Sequence, residues 1–114
     1  MANGKLRSEL EATETPAPGT PRLISLGRQF PLGKVSITQS ARDALNPDDV
    51  FKSICQHSFR NWGDCSPENW EDNEFCLRHG FRLYSEFHDL AGTKFWILTE
   101  PDRSATIVFL PNEF

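Results

Sequence analysis

The sequence predicts an α+β domain in which two to three short helices pack on one face of a three- to four-stranded antiparallel C-terminal meander. Three observations lead to this prediction. Helix-start signals occur twice in the middle of the chain, the hydrophobic period changes from helical to strand-like near residue 81, and every Phe, Trp and Tyr lies at Phe30 or later.

The N-terminal segment, residues 1–24, differs in composition from the rest of the chain. It is rich in Pro, Thr and Glu and contains no aromatic residue. Such a segment buries too little apolar surface to offset the entropy lost on ordering. We therefore expect a disordered tail over 1–24 and a single domain over 25–114.

The charge balance restricts the class of partner. The full chain has a formal net charge of -4, and residues 31–114 carry 8 basic and 13 acidic side chains, a net of 8 - 13 = -5. A nucleic-acid-binding domain usually has a basic face, so we expect no nucleic-acid partner. No apolar run approaches the about 18 residues of a membrane span and the start lacks a signal peptide, so we expect a cytoplasmic protein without membrane contact.

The first half of the domain is expected to be helical. A short strand at 35–38 and a short helix at 39–45 come first. The next helix has a clear start, because Asn46 suits the cap, Pro47 suits the first helical position, and two aspartates follow at the positive end of the helix dipole. An apolar stripe at helical spacing predicts its core face: Val50, Phe51, Ile54, Cys55 and Phe59.

A second helix has the same pattern and is followed by strands. Ser66 and Pro67 mark its start, and Gly80 can end it in a left-handed cap. Three apolar runs with short, turn-rich connections then predict a meander, with strands at 81–88, 94–100 and 105–110.

The middle strand of this meander is apolar on both faces. Phe95 and Ile97 alternate with Trp96 and Leu98, so neither side reads as solvent-exposed. A central position in a small sheet explains this pattern, and so does a second face that receives a partner.

Two Cys and His pairs, Cys55 with His57 and Cys76 with His79, raise the question of a metal site. Zinc motifs need close Cys/Cys or His/His spacing that directs four ligands inward, and these pairs match no such pattern. We expect no metal and no cofactor. Three widely spaced cysteines also predict free thiols in a reducing compartment and not a disulfide framework.

The turn at 100–103 is the strongest candidate for chemistry. Glu100, Asp102 and Arg103 cluster there, and His88 is expected to approach from the neighbouring strand. These groups resemble the base, acid and phosphate clamp of small ribonucleases. The structural alternative is that Asp102 bonds the turn backbone and Arg103 pairs with an acidic neighbour.

The loop between the two longer helices contains Trp62, Gly63 and Asp64. A Trp in a loop either plugs the edge of the core or offers an anchor to a partner. Gly63 allows a sharp turn, and Asp64 is expected to reach the exposed amides at the start of the following helix.

The C-terminal part of the chain carries a pattern found elsewhere. It consists of Asn61-Trp-Gly-Asp64, Asn73, Gly80-Phe-Arg-Leu-Tyr-Ser85, the run from Gly92 to Thr106 and the ending Leu110-Pro-Asn-Glu-Phe114. This pattern resembles a family of small uncharacterised bacterial proteins found on plasmids and integrative elements. The resemblance covers residues 33–114. It implies that the protein belongs to a mobile genetic element, and it implies no particular reaction. Its polar residues are the ones to test: Asp64, Asn73, Arg82, Ser85, Thr99, Glu100, Asp102, Arg103 and Thr106.

Together these observations predict a non-enzymatic protein-interaction or regulatory module whose partner is another protein, with a homo-oligomer left open. Its contacts are expected through the aromatic-rich sheet face and the turn at 100–103, with these binding residues: Trp62, Asp64, Arg82, Trp96 and Arg103. The alternative is a small toxin-type ribonuclease that uses Glu100, Asp102, Arg103 and His88. Its weakness is the net negative charge of the domain.

Overall fold

The computed structural model describes residues 29–113, so the predicted tail at 1–24 lies outside the described residues. The elements in chain order are β1 (Lys34–Ile37), α1 (Gln39–Ala44), α2 (Pro47–Ser58), α3 (Pro67–His79), β2 (Leu83–His88), β3 (Lys94–Thr99), β4 (Ala105–Phe109) and a 3₁₀ turn (Pro111–Glu113). None of the helices in this part of the chain is long and apolar enough to cross a membrane.

The four strands form one mixed sheet in the order β1-β4-β3-β2. β2, β3 and β4 are the predicted antiparallel meander. The prediction of a purely antiparallel sheet is wrong, because β1 lies parallel to β4. All three helices lie between these two strands in the chain, and parallel neighbours need such a long crossover connection.

The close approach of β1 to β4 depends on a glycine. Gly33 has φ +66, and a Cβ atom there would lie 2.2 Å from the carbonyl of Ser104. Directly after it, the amide of Lys34 donates to that carbonyl oxygen at 2.9 Å. A larger residue at position 33 would therefore push β1 away from β4.

The predicted helix ends are confirmed. The Asn46 side chain accepts hydrogen bonds from the amides of Asp48 and Asp49, and the Ser66 hydroxyl accepts from the amide of Asn69. Gly80 ends α3 in the left-handed conformation with φ 75. These signals depend on residues within four positions of one another, which explains why the sequence alone identifies them.

The predicted core face of α2 is wrong in part. Phe51 is 70% exposed and Phe59 is 53% exposed, whereas Val50, Ser53 and His57 are buried. The buried residues follow the spacing i, i+3, i+7, and they include two polar side chains that a hydrophobic pattern does not select. The helix is rotated so that His57 faces the sheet.

The helices pack on one face of the sheet, as predicted. One core cluster joins Ala41, Leu45 and Val50 to sheet residues that include Phe95 and Val108. A second cluster surrounds a buried Trp and consists of Phe30, Leu32, Trp62 and Leu83, with half-buried side chains of α3 against it. β3 is a central strand of this sheet, which is one of the two explanations given for its apolar character.

Candidate interaction surface and the sites around it

The face of the sheet opposite the core clusters carries apolar side chains and no helix of the described part of the chain packs on it. Strand alternation places Tyr84, Leu98 and Ile107 on it, and the register pairs them directly across β2, β3 and β4. Trp96 lies in the next row, between Glu86 and Phe109. We call this surface, defined by Tyr84, Trp96, Leu98 and Ile107, the open sheet face.

Side chains of the open sheet face are exposed to different degrees. Tyr84 is 38% exposed, Trp96 and Ile107 are half-buried, and Leu98 is buried between its neighbours. The rings of Tyr84 and Trp96 meet edge to face, with centroids 6.3 Å apart. The predicted contact residue Trp96 therefore lies on a surface that a partner can reach.

Ion pairs border the open sheet face at both ends. Arg82 donates to Glu100 at 3.3 Å at one end, and the ammonium of Lys94 lies 3.6 Å from Glu86 at the other. Arg82, Glu100 and Lys94 are exposed and Glu86 is largely covered, and an ion pair with an exposed member contributes little to the free energy of unfolding. They leave the band between them apolar and its borders polar, which is the usual anatomy of a protein interface.

The turn at 100–103 has the structural role foreseen for Asp102. The amide of Ser104 donates to the Asp102 carboxylate at 3.0 Å. A hydrogen bond from the Ser104 side chain and, to a smaller extent, this amide contact lower the pKa of Asp102 below its ordinary value. The carboxylate is thus occupied by the backbone that it shapes.

Arg103 holds four parts of the chain together and pairs with no carboxylate in the described residues, contrary to the structural alternative. Its guanidinium donates to the carbonyl oxygens of Phe81 at 2.7 Å and Glu100 at 3.0 Å, and more weakly to that of Cys76 at 3.4 Å. It also lies over the ring of Phe30, 5.8 Å from the centroid. Partial burial lowers the pKa of Arg103. These contacts explain the side chain without a ligand.

His88 does not reach this turn, so the predicted catalytic group is not assembled. The antiparallel register pairs Leu83 with Thr99, beside Glu100, and pairs His88 with Lys94 at the opposite end of the hairpin. Five residue steps along β2, from Leu83 to His88, separate the two ends by about 17 Å. The expected approach of His88 is wrong because His88 lies at the turn end of the β2–β3 hairpin, whereas Glu100 follows the strand at the open end.

His88 instead meets Asp64, in a groove of about 360 Å³ that Lys52 also lines. Its Nδ1 lies 2.8 Å from the Asp64 carboxylate, and both side chains are exposed. The expectation that Asp64 reaches the next helix start is wrong, since Ser66 caps α3. The sequence separation of 24 residues left no local signal for this pair.

Trp62 is fully buried, so it is a core plug and not a contact residue. Its ring nitrogen donates to Glu74 at 2.8 Å, and Arg60 donates to the same carboxylate. The hydrogen bond from Arg60 lowers the pKa of Glu74. Of the two roles left open for Trp62, plugging the edge of the core and anchoring a partner, its burial supports the first.

The loop that carries Trp62 also covers the outer edge of β2. The amide of Glu86 donates to the Trp62 carbonyl at 3.2 Å, and the amide of Asp64 donates to the Glu86 carbonyl at 2.6 Å. Between them, Gly63 has φ +74, and a Cβ atom there would lie 2.2 Å from the carbonyl oxygen of Glu86. The edge is closed only because residue 63 is a glycine.

A buried polar chain links α2 to the sheet. His57 Nδ1 lies 2.5 Å from the Ser85 hydroxyl and Nε2 lies 2.8 Å from that of Thr99. The Thr99 hydroxyl lies 2.8 Å from that of Thr106, which donates to the Leu32 carbonyl at 2.7 Å. Sequence reasoning considered His57 only as a metal ligand and did not find this chain.

The carbonyl at the end of this chain determines which group donates in each hydrogen bond from Thr106 back to Nε2 of His57. A carbonyl oxygen only accepts, so Thr106 donates to Leu32 and must accept from Thr99. Thr99 then accepts from Nε2–H of His57. Burial, with a smaller effect of the Arg103 charge, lowers the pKa of His57 to about 3, so the ring is neutral at pH 7. Its Nδ1 therefore carries no proton and accepts from the Ser85 hydroxyl.

Comparisons with known proteins do not extend this description. No family model matches the chain, and neither a curated protein nor a solved structure matches it significantly.

Proposed function

We propose that this protein is a non-enzymatic interaction module, an accessory or regulatory protein of a mobile genetic element that acts in the cytoplasm and binds another protein through the open sheet face. The observation that supports the proposal is the apolar band of Tyr84, Trp96, Leu98 and Ile107 between two charged borders. The resemblance to proteins of plasmids and integrative elements supplies the setting.

The charge of the domain selects the kind of partner. The 13 acidic and 8 basic side chains of residues 29–113 leave a net charge of -5. Such a field attracts a positively charged protein and steers it towards the domain. We therefore assign the open sheet face to a folded protein that presents an apolar patch with basic side chains around it.

The test is site-specific photocrosslinking in cells. A photoreactive phenylalanine analogue replaces Tyr84 on the open sheet face, or Phe51 on the opposite, helical side as the matched control. The proposal expects one protein to be crosslinked through position 84 and not through position 51. That protein should carry a basic surface, and its complex with the purified chain should weaken as salt rises.

Ile107→Lys tests the same surface without a crosslinker. We expect it to abolish the complex reconstituted from purified components, while Phe51→Lys leaves the complex intact. Circular dichroism establishes that both variants are folded, and Tyr84→Lys replaces Ile107→Lys if the latter unfolds. Full binding by folded variants of the open sheet face, or a crosslink only between copies of this chain, would refute the proposal.

A further inference from the structure

The groove in which His88 meets Asp64 lies between two walls, and we call it the His88 groove. One wall is a single face of α2, because its four residues follow the spacing i, i+3, i+4, i+7: Asp49, Lys52, Ser53 and Gln56. The loop before α3 and the end of β2 form the other wall. The volume of about 360 Å³ lies in the range of small-molecule sites.

One end of the His88 groove is acidic. The Asp49 carboxylate accepts from the Leu90 amide at 2.9 Å, and the Asp64 carboxylate accepts from Nδ1–H of His88 at 2.8 Å. Each contact occupies one carboxylate oxygen, and no residue in the described range bonds the other oxygen of either group. This end therefore offers two acceptors to a cationic group.

The middle of the groove offers donors. Ser53 is only 5% exposed, and its hydroxyl has no hydrogen-bond partner within residues 29–113. Buried hydroxyls are normally hydrogen-bonded, so this one indicates a ligand that supplies an acceptor. Beside it on α2, Lys52 is exposed and pairs with no carboxylate of the described chain. An ammonium group and a hydroxyl together are the donors that a carboxylate requires.

The other end of the groove is polar but uncharged. The backbone amide of Asn61 donates to the carbonyl of Gln56 at 2.9 Å, which brings the two amide side chains to the same end. Oδ1 of Asn61 accepts from the Gly63 amide, whereas its NH₂ group and the side-chain amide of Gln56 have no partner in the part of the chain that the structure describes. Seven residue steps along α2 separate Asp49 from Gln56, which is about 10 Å. The groove thus changes from acidic to neutral over the length of a small molecule.

We propose that the His88 groove binds a free α-amino acid with an uncharged polar side chain. The ammonium group of the ligand meets the carboxylates of the acidic end, its carboxylate meets Lys52 and Ser53, and its side chain reaches the amides of the neutral end. An anion alone would face the two carboxylates, and a cation alone would leave Lys52 and the buried hydroxyl without an acceptor. This site shares no residue with the open sheet face, so either proposal can fail without the other.

Titration of the full-length, ¹⁵N-labelled chain with L-glutamine tests the inference. We expect saturable shifts of backbone amides that line the groove: Ser53, Gly63 and Leu90. Two analogues each lack one charge, because N-acetyl-L-glutamine has no ammonium group and L-glutamine α-amide has no carboxylate. Each analogue should bind at least tenfold more weakly than L-glutamine. Equal binding of either analogue, or no saturable shift with L-glutamine, L-asparagine, L-serine or L-threonine at high millimolar concentration, would overturn the proposal.

Matched variants assign each charge of the ligand to one residue. Lys52→Gln should weaken binding of L-glutamine at least tenfold and no longer distinguish it from its α-amide, while Lys34→Gln, at an exposed lysine on the opposite edge of the sheet, should leave both unchanged. Asp64→Asn should likewise lose the preference for L-glutamine over N-acetyl-L-glutamine. Ser53→Ala should weaken binding without lowering Tm, because the hydroxyl has no partner to lose within the described residues. Lys52 and Asp64 are at the surface, so we expect both variants to fold, and wild-type affinity in either would reject the site.

Discussion

Acid destabilisation should reveal the buried imidazole of His57. The ring accepts from Ser85 and donates to Thr99, so its neutral form is matched to its surroundings. A proton added to Nδ1 would place a charge in the core and remove the bond that Ser85 donates. The unfolded chain accepts that proton near the ordinary histidine pKa of 6.5, whereas the folded chain does so only near about 3.

The sign and the size of the effect follow from this difference. Between pH 6.5 and 3 the unfolded state binds one more proton than the folded state, so the free energy of unfolding decreases as pH falls. The loss is about 1.4 kcal/mol for each pH unit in that window, or about 2 kcal/mol between pH 7 and pH 5. The pKa values of Glu74, Asp102 and Glu113 are lowered from ordinary values of 4.5, 3.8 and 4.5, so the stability that these carboxylates contribute is lost only below about pH 5 and does not enter the comparison of pH 7 with pH 5.

Urea denaturation at pH 7 and pH 5 measures the loss, and His57→Gln is the control. Glutamine can accept from Ser85 and donate to Thr99 but has no proton to take up, so its free energy of unfolding should change by less than about 1 kcal/mol over the same range. If this variant does not fold, NMR of the wild-type ring replaces it, and we expect the signals of a neutral imidazole down to pH 4. An equal pH dependence in both proteins, or an imidazolium signal at pH 5 in the folded state, would refute the reasoning.

Four further outcomes are expected. Gly63→Ala should cost about 3 kcal/mol, because a Cβ atom there meets a carbonyl at 2.2 Å, whereas Gly80→Ala, with nearly the same φ and open space, should cost about 1 kcal/mol. Urea melts of both variants measure the difference, and equal losses would contradict the clash. Arg103→Ala should cost about 2 kcal/mol and Arg103→Lys less, because the three carbonyls lose their donor, and thermal melts compare them. Deletion of residues 1–24 should shift Tm by only a few degrees, and a large shift would show that this segment stabilises the domain. Trp96→Ala should cost about 2 kcal/mol and abolish binding of the crosslinked partner, and normal binding would remove this ring from the interface.

The site residues show how far sequence reasoning reached. Asp102 was expected to bond the turn, and it does, because its partner Ser104 is two residues away. The role of Arg103 was not foreseen, since Phe81 and Cys76 are 22 and 27 residues distant. His88 was expected near Glu100 and Asp102 but lies beside Asp64, which is 24 residues away in the chain. Spacing in the chain does not tell which ends of two paired strands meet.

The sequence by itself determined the elements whose causes are local. Helix caps, the end of α3 at Gly80 and the alternation of the meander all follow from residues within a few positions of each other. Only the tertiary structure decided that β1 lies parallel to β4, that α2 turns His57 towards the sheet, and that Trp62 is buried. These features depend on contacts between distant parts of the chain, and a buried polar side chain such as His57 is stable only once its partners, Ser85 and Thr99, are in place. Hydrophobic patterning carries no information about such partners, because it records how apolar each residue is and not which residue it meets.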